Sequence, residues 1–292
     1  MIDFISWWRY LPEKMNPVAF ELGPLKIQYY GLMYIAAFAV TYALVLYRLK
    51  HEDRFDITTD QLNSLTTAMI IGLIIGARLG YALFYNFGYF IHHPLEIILP
   101  FSLQDGFRFT GFSGMSYHGG LIGVMIAGYF YLRRTNLTFR DAADLFIPAI
   151  PLGYTFGRLG NFINGELYGR VTASAVGMFF PMAPGPEPRH PSQLYEAFFE
   201  GIFLFAVLWT AKRFIQRPKG VFLSLYLFGY GLVRFFIEYF RQPDAHLGFV
   251  FFHFSMGQVL CGLMMLGALV LYVGLLRLET KNQRAGHTSV RP

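Results

Sequence analysis

Apolar residues in this chain do not alternate in twos, as in a half-buried strand. They run in blocks. Seven blocks approach or exceed the roughly 20 residues that an α-helix needs to cross a bilayer: 28–48, 64–87, 115–133, 141–163, 194–214, 220–240 and 255–276. The fourth and sixth are the least clean, because each carries polar groups inside it. Short polar loops separate the blocks, apart from 170–191, RVTASAVGMFFPMAPGPEPRHP, whose prolines and glycines predict a small external head or lid rather than a domain. No internal repeat relates the two halves. The pattern predicts an all-α polytopic integral membrane protein of about seven transmembrane helices. It forms a single domain over 1–292, with a head segment at 164–193.

Composition agrees. Hydrophobic residues make up 54% of the chain and charged residues 14%, against about 25% charged in a soluble domain. Aromatic residues reach 18%, with 32 Phe and 19 Tyr, which suits lipid-facing and interfacial surfaces. The net charge of +6 brings no basic stripe or helix, so nucleic acid is not an expected partner. The positions of the positive charges are informative instead. The loops at 48–60, 133–140 and 212–219 and the tail from 277 hold 14 Lys/Arg, while the opposite-side segments hold 6. By the positive-inside rule the N-terminus is external and the C-terminus cytoplasmic. The single Cys261 lies in the apolar run VLCGLMMLGALVLYVGLL, where it reads as a buried, inert thiol. No Cys/His spacing suits a metal. The first twenty residues lack a basic stretch followed by a long apolar core, so no cleavable signal peptide is expected. Trp7, Trp8 and Tyr10 read as an interfacial anchor.

Charges placed inside apolar blocks are costly and mark candidate sites. Arg78, Arg158, Arg234 and Arg241 lie within or at the ends of spans, all toward the predicted outer side. In the stretch GRLGNFINGE at 157–166, Arg158, Asn161 and Gly165 share a helix face and Glu166 is adjacent. A planar guanidinium fork there suits a phosphate; the plainer alternative is an arginine snorkelling to the interface. In the sixth block Tyr230, Arg234, Glu238 and Arg241 fall at i, i+4, i+8 and i+11, on one face of a continuous helix. That stripe is either an internal ion pair joining helices or a functional row. His118, flanked by Gly119 and Gly120, is the only histidine inside a predicted span. It is a packing residue or a base titrating near neutral pH. Tyr29-Tyr30-Gly31 opens the first block at interfacial depth, where either hydroxyl can reach a headgroup. Gly72, Gly76 and Gly80 recur every fourth residue, a face on which helix backbones approach closely.

Five motifs occur in order: YYGLMY at 29–34, GMSYHGGLIG at 114–123, GRLGNFINGELYG at 157–169, RHPSQLYE at 189–196 and GYGLVRFFIEYFRQPD at 229–244. With these the chain resembles the bacterial phosphatidylglycerol–prolipoprotein diacylglyceryl transferases through nearly its whole length, although 170–188 is short compared with some members. The resemblance implies a transferase of the bacterial cytoplasmic (inner) membrane. It would move the sn-1,2-diacylglyceryl group of phosphatidylglycerol to the lipobox cysteine of a preprolipoprotein signal peptide, giving a thioether and glycerol 1-phosphate, the first step of lipoprotein maturation. Its partners are phosphatidylglycerol, the signal peptide and membrane lipids. No metal or organic cofactor is expected. The positions tied to function by the resemblance are Tyr30, His118, Arg158, Asn161, Glu166, Gly169, Tyr230, Arg234 and Glu238. Of these, His118, Arg158, Arg234, Glu166 and Glu238 are the expected catalytic set, and Tyr30, Arg158, Asn161, Gly169, Tyr230 and Arg234 the phosphatidylglycerol contacts.

The chemistry needs two things. As the substrate thiol attacks a glyceryl carbon, a diester with one negative charge becomes a monoester approaching −1.5 to −2. Fixed arginines aimed at the phosphate therefore stabilise the transition state more than the ground state. A free thiol, with a pKa of about 8.5, also needs a base or a positive field. His118, Glu166 and Glu238 are candidates for the base, as is no protein base at all. Two other function classes fit buried arginines: a transporter or channel for an anionic solute or lipid, for which inverted repeats are common, and a structural membrane scaffold.

Overall fold

In a computed structural model the described residues are 4–23, 25–99, 101–102, 108–109, 114–215, 217–242, 249–251 and 254–288. They are mostly helical. The order is α1 (Phe4–Arg9), α2 (Leu11–Lys14), a hairpin of β1 (Val18–Leu22) and β2 (Leu25–Gln28), α3 (Tyr29–His51), α4 (Thr59–Phe84) and α5 (Phe87–Phe90). A 3₁₀ turn follows at Pro94–Ile97, then the short β3 (Phe101–Ser102) and β4 (Arg108–Phe109), α6 (Tyr117–Leu132), α7 (Phe139–Phe146) and α8 (Ile150–Ile163). After an irregular stretch come α9 (Ser192–Tyr195), a π-helical segment (Glu196–Phe203) and α10 (Leu204–Ala211), which form one rod. The chain ends with α11 (Val221–Ile237), β5 (Phe249–Phe251), β6 (Phe254–Ser255) and α12 (Met256–Thr288).

All seven predicted spans fall on helices, yet among the described residues four helices are long and apolar enough to cross a membrane: Tyr29–His51, Thr59–Phe84, Ser192–Ala211 and Met256–Arg284. The expected fourth span, 141–163, is not continuous. α7 and α8 are separated by the turn 147–149, which contains Pro148. Proline has no N–H for the helix ladder and clashes with the preceding turn; Pro151 instead fits the first turn of α8, where that N–H would be unpaired anyway. The sixth span also ends early. α11 stops at Ile237 with Glu238 as its C-cap, so Arg241 follows the helix instead of continuing its face.

The chain divides into two compact units, residues 1–48 with 140–292, and residues 49–139. The second is built on α4 against α6, and its glycines decide the spacing. A Cβ on Gly72 would fall 2.5 Å from the Gly123 carbonyl oxygen, and one on Gly80 would fall 2.7 Å from Gly119 Cα. α4 starts with a capping box, in which Thr58 and Gln61 each satisfy the other's backbone N–H. Arg78 of α4 donates from Nε to the Ile97 carbonyl (3.0 Å) and from its guanidinium to those of Glu96 (2.5 Å) and Gly114 (3.3 Å). One of the four embedded arginines is thus engaged in tying the loops at the end of its helix.

In the first unit, Arg48 is fully buried and donates to the Asp144 and Leu145 carbonyls at the end of α7, at 2.5 and 2.7 Å. The Asp144 carboxylate accepts from Gly220 N (2.8 Å) and Phe222 N (3.1 Å), capping α11 from another helix. These contacts fix the end of α11 remote from the site. Cys261 is buried in α12, as expected of an inert thiol.

Candidate functional site

The site lies where α8, the π segment and the C-terminal end of α11 meet. Glu196 and Glu200, four residues apart on the π segment, are 0% and 1% exposed. Residues four apart lie on one side of the helix, so the two carboxylates face the same neighbours. Thr155 of α8 contacts this segment: its hydroxyl donates to the Ala197 carbonyl at 3.2 Å, while Gly201 has no room for a Cβ beside Thr155.

Three arginines converge on these carboxylates. Arg158 Nε is 2.9 Å from Glu196 Oε2 and 2.6 Å from the Tyr154 hydroxyl. Arg234 Nη1 is 3.0 Å from the same Glu196 oxygen and 3.3 Å from Glu200 Oε1. Arg241 Nη1 lies 3.4 Å from Glu196 Oε1. Glu238 completes the group at 3.5 Å from both Arg234 Nε and Arg241 Nε. The Tyr154 hydroxyl donates a short hydrogen bond to Glu200, and its ring meets Tyr230 edge-on at 6.1 Å. Three guanidiniums so close would repel one another strongly without the carboxylates between them. Removing one partner of a buried pair typically costs about 3–5 kcal/mol, because an uncompensated charge stays behind.

Arg158 Nη1 also donates to Asn161 Oδ1 (3.3 Å), and Asn161 Nδ2 donates to Glu166 Oε1 (2.8 Å). Glu166 accepts in addition from Asn164 Nδ2 at 3.4 Å, and its backbone carbonyl from Gln193 Nε2 at 2.5 Å. The chain can place Glu166 there because Gly165 turns it out of α8 with φ +69°, followed by Leu167 at φ +58°, a conformation that is uncommon for any residue but glycine.

Tyr30 packs its ring on Gly160, where a Cβ would be 3.0 Å from Tyr30 Cδ2, and pairs its hydroxyl with Tyr34 at 3.0 Å. Gly169 bridges to Arg241, donates its N–H to the His190 carbonyl at 2.8 Å, and has no space for a Cβ beside the Phe240 carbonyl. That contact ties the irregular stretch after α8 to the chain beyond α11. Arg170 reinforces it by donating from Nε to the Arg241 carbonyl (2.7 Å), beyond α11, and from Nη2 to that of its C-cap Glu238 (3.4 Å). The stretch after α8 has its own small core, in which Phe162, Met178 and Phe180 pack with Trp8, Leu11 and Tyr168. Trp8 donates to the Val176 carbonyl at 3.1 Å and Tyr10 stacks on Phe179 at 4.8 Å. Both therefore pack on this stretch, while Trp7 and Tyr10 keep about two-fifths of their surface exposed. Burial lowers the pKa of His190, whose Nδ1 is 3.1 Å from the Tyr195 hydroxyl.

The structure thus brings together Arg158, Asn161, Glu166, Tyr230, Arg234, Glu238 and Arg241. His118 belongs to the other unit. It sits in the first turn of α6, which is capped by the Ser116 hydroxyl accepting from Gly119 N at 3.2 Å, and its side chain is exposed. Sequence reading missed Tyr154, Glu196 and Glu200. Two carboxylates at i and i+4 in the apolar run LYEAFFEGIFLF carried a signal, since ionisable groups in such runs are rarely incidental.

A family model described as prolipoprotein diacylglyceryl transferase matches residues 17–274. The chain is 57% identical over 265 residues to the phosphatidylglycerol–prolipoprotein diacylglyceryl transferase of Chlorobaculum tepidum, covering 90% of this chain and 91% of that protein. It is 46% identical over 261 residues to the protein of that name from Francisella tularensis subsp. novicida, covering 88% and 92%.

Proposed function

The chain belongs to the prolipoprotein diacylglyceryl transferase family, and from that premise we propose that it transfers the sn-1,2-diacylglyceryl group of phosphatidylglycerol to the lipobox cysteine of a preprolipoprotein. The sulfur attacks the glyceryl carbon, the carbon–oxygen bond to phosphate breaks, and glycerol 1-phosphate leaves. The thiol proton passes to a base or to water. The observation that carries this reading is the convergence of Arg158, Arg234 and Arg241 on one buried spot. Such a cluster suits a phosphate that gains charge as it leaves.

In this reading Arg158 and Arg234 grip the phosphate. Asn161 orients Arg158 and Glu166 together through its amide. Tyr30, Tyr230 and Gly169 border the lipid. His118 is the favoured base, with Glu166 and Glu238 as the alternatives. The whole chain acts as one catalytic domain of about seven crossings in the bacterial cytoplasmic membrane, with an external N-terminus, a cytoplasmic C-terminus and residues 164–193 as an external head that meets the signal peptide.

The test is transfer itself. Full-length protein is incubated with phosphatidylglycerol and a lipobox peptide, and loss of free thiol is followed together with release of glycerol 1-phosphate. One glycerol 1-phosphate released per thiol consumed is expected. Thiol that persists while the lipid stays intact would overturn the assignment.

A further inference from the structure

The geometry points to a separate task for Glu196: it occupies the anion seat of the arginine triad, so a substrate phosphate must displace it, and this competition sets how tightly the site holds phosphate. The inference rests on the transferase reading for the identity of that phosphate. Glu196 is a positioning residue in this scheme, acting through the arginines and not on the reacting atoms.

Its carboxylate bridges all three guanidiniums. Oε2 lies between Arg158 Nε (2.9 Å) and Arg234 Nη1 (3.0 Å), and Oε1 faces Arg241 Nη1 (3.4 Å). Guanidiniums pair with carboxylate and with phosphate oxygens through the same charge-assisted N–H···O bonds, so the two anions compete for this seat. Glu200 and Glu238 contact fewer of them. Glu200 meets Arg234, and Glu238 meets Arg234 and Arg241. Each of Arg158, Arg234 and Arg241 already has a carboxylate partner among Glu196, Glu200 and Glu238, so an arriving diester competes for the same guanidinium nitrogens. The Tyr154 hydroxyl lies 3.4 Å from Glu196 Oε2 and also donates to Glu200, so its one proton reaches the displaced carboxylate only by leaving Glu200. The competition also serves turnover. The leaving monoester carries up to twice the charge of the diester, and three arginines with no internal anion would retain it.

Glu196→Gln keeps the shape and removes the charge. Binding of glycerol 1-phosphate to full-length protein in detergent micelles, measured by calorimetry, should tighten at least about tenfold, since one unit charge at hydrogen-bonding distance is worth that much even in a well-screened site. KM for phosphatidylglycerol should fall, and kcat should fall with it as product release slows. A merely structural glutamate gives the opposite, weaker anion binding with KM raised or unchanged. The double variant Glu196→Gln/Arg241→Gln restores the charge balance, and its anion affinity should return to within a few-fold of wild type. Unchanged or weaker binding in the single variant overturns the inference, and so does a double variant that binds as tightly as the single. Should the single variant fail to fold, a double variant more than about tenfold from wild type overturns it equally. Absence of transfer by the wild-type protein sinks the functional reading instead, so the two failures are distinguishable.

Discussion

At Arg158 one side chain uses separate nitrogens for separate partners: Nε for Tyr154 and Glu196, Nη1 for Asn161. Lysine offers a point charge at one place. Arg158→Lys should therefore lower kcat/KM by roughly 10²-fold, the value of one or two charge-assisted hydrogen bonds. Turnover close to wild type would show that charge alone suffices there. His118 makes a different demand. General-base help is worth about 10²–10⁴-fold, so His118→Gln should slow transfer by that order while leaving phosphatidylglycerol binding close to wild type. The rate should partly recover as pH rises toward the thiol pKa of about 8.5, where the substrate ionises unaided. A low rate that stays flat across that range would move His118 from proton transfer to binding. The embedded positions of Arg158 and Arg234 were legible in the sequence, because charged residues in apolar runs stand out. Their carboxylate partners were less legible, because a carboxylate's meaning depends on which helix it faces.

Among the elements, α4 and α6 show sequence and structure agreeing closely. The GxxxGxxxG run of α4 meets Gly119 and Gly123 of α6, and a Cβ on Gly76 would lie 2.8 Å from Gly123 Cα. Gly76→Val should destabilise the protein by about 1–3 kcal/mol through overpacking, visible as a lower melting temperature in detergent. Gly267 of α12 has nothing within 4 Å of a Cβ, so Gly267→Ala should leave melting unchanged or raise it through better helix propensity. Equal effects of the two substitutions would remove close backbone approach as the reason for the α4 glycines. Other elements were not legible. The break between α7 and α8 was signalled by Pro148 but is hidden in an apolar average, since hydropathy does not register a missing N–H. The π segment at Glu196–Phe203 carries no sequence mark of its own. Its Ala197 carbonyl is met by the Thr155 hydroxyl of another helix, a contact that spacing along the chain does not reveal.

For the whole molecule, the 14-to-6 division of Lys/Arg between loop sets predicts, by the positive-inside rule, an external N-terminus and a cytoplasmic tail. A cysteine-directed, membrane-impermeant reagent should therefore fail to label Thr288→Cys in intact cells and succeed once they are permeabilised. Labelling of intact cells would invert the orientation. Among the described residues four helices have the length and apolarity of spans; the other three blocks, at 16, 8 plus 14, and 17 helical residues, are shorter or interrupted. Two of these shorter helices, α8 and α11, carry the site, with Arg158 and Arg234 in their C-terminal halves.

The amino-acid sequence by itself determined the helical class, the membrane character and the family, because these follow from long apolar runs and from motifs that keep their spacing whatever the packing. It also determined that arginines matter, since a cation in an apolar run must be compensated wherever it lies. Only the tertiary structure decided the compensation. Glu196 is separated from Arg158 by 38 positions and from Arg241 by 45, and no periodicity links residues at such distances. Their meeting accompanies a proline-containing break between α7 and α8, a π-helical turn that Thr155 contacts, and an α11 that stops at Ile237 so that Arg241 can fold back onto Gly169. Charge pairing in a buried site is a property of three-dimensional proximity, and that proximity was set by where backbone hydrogen bonding failed.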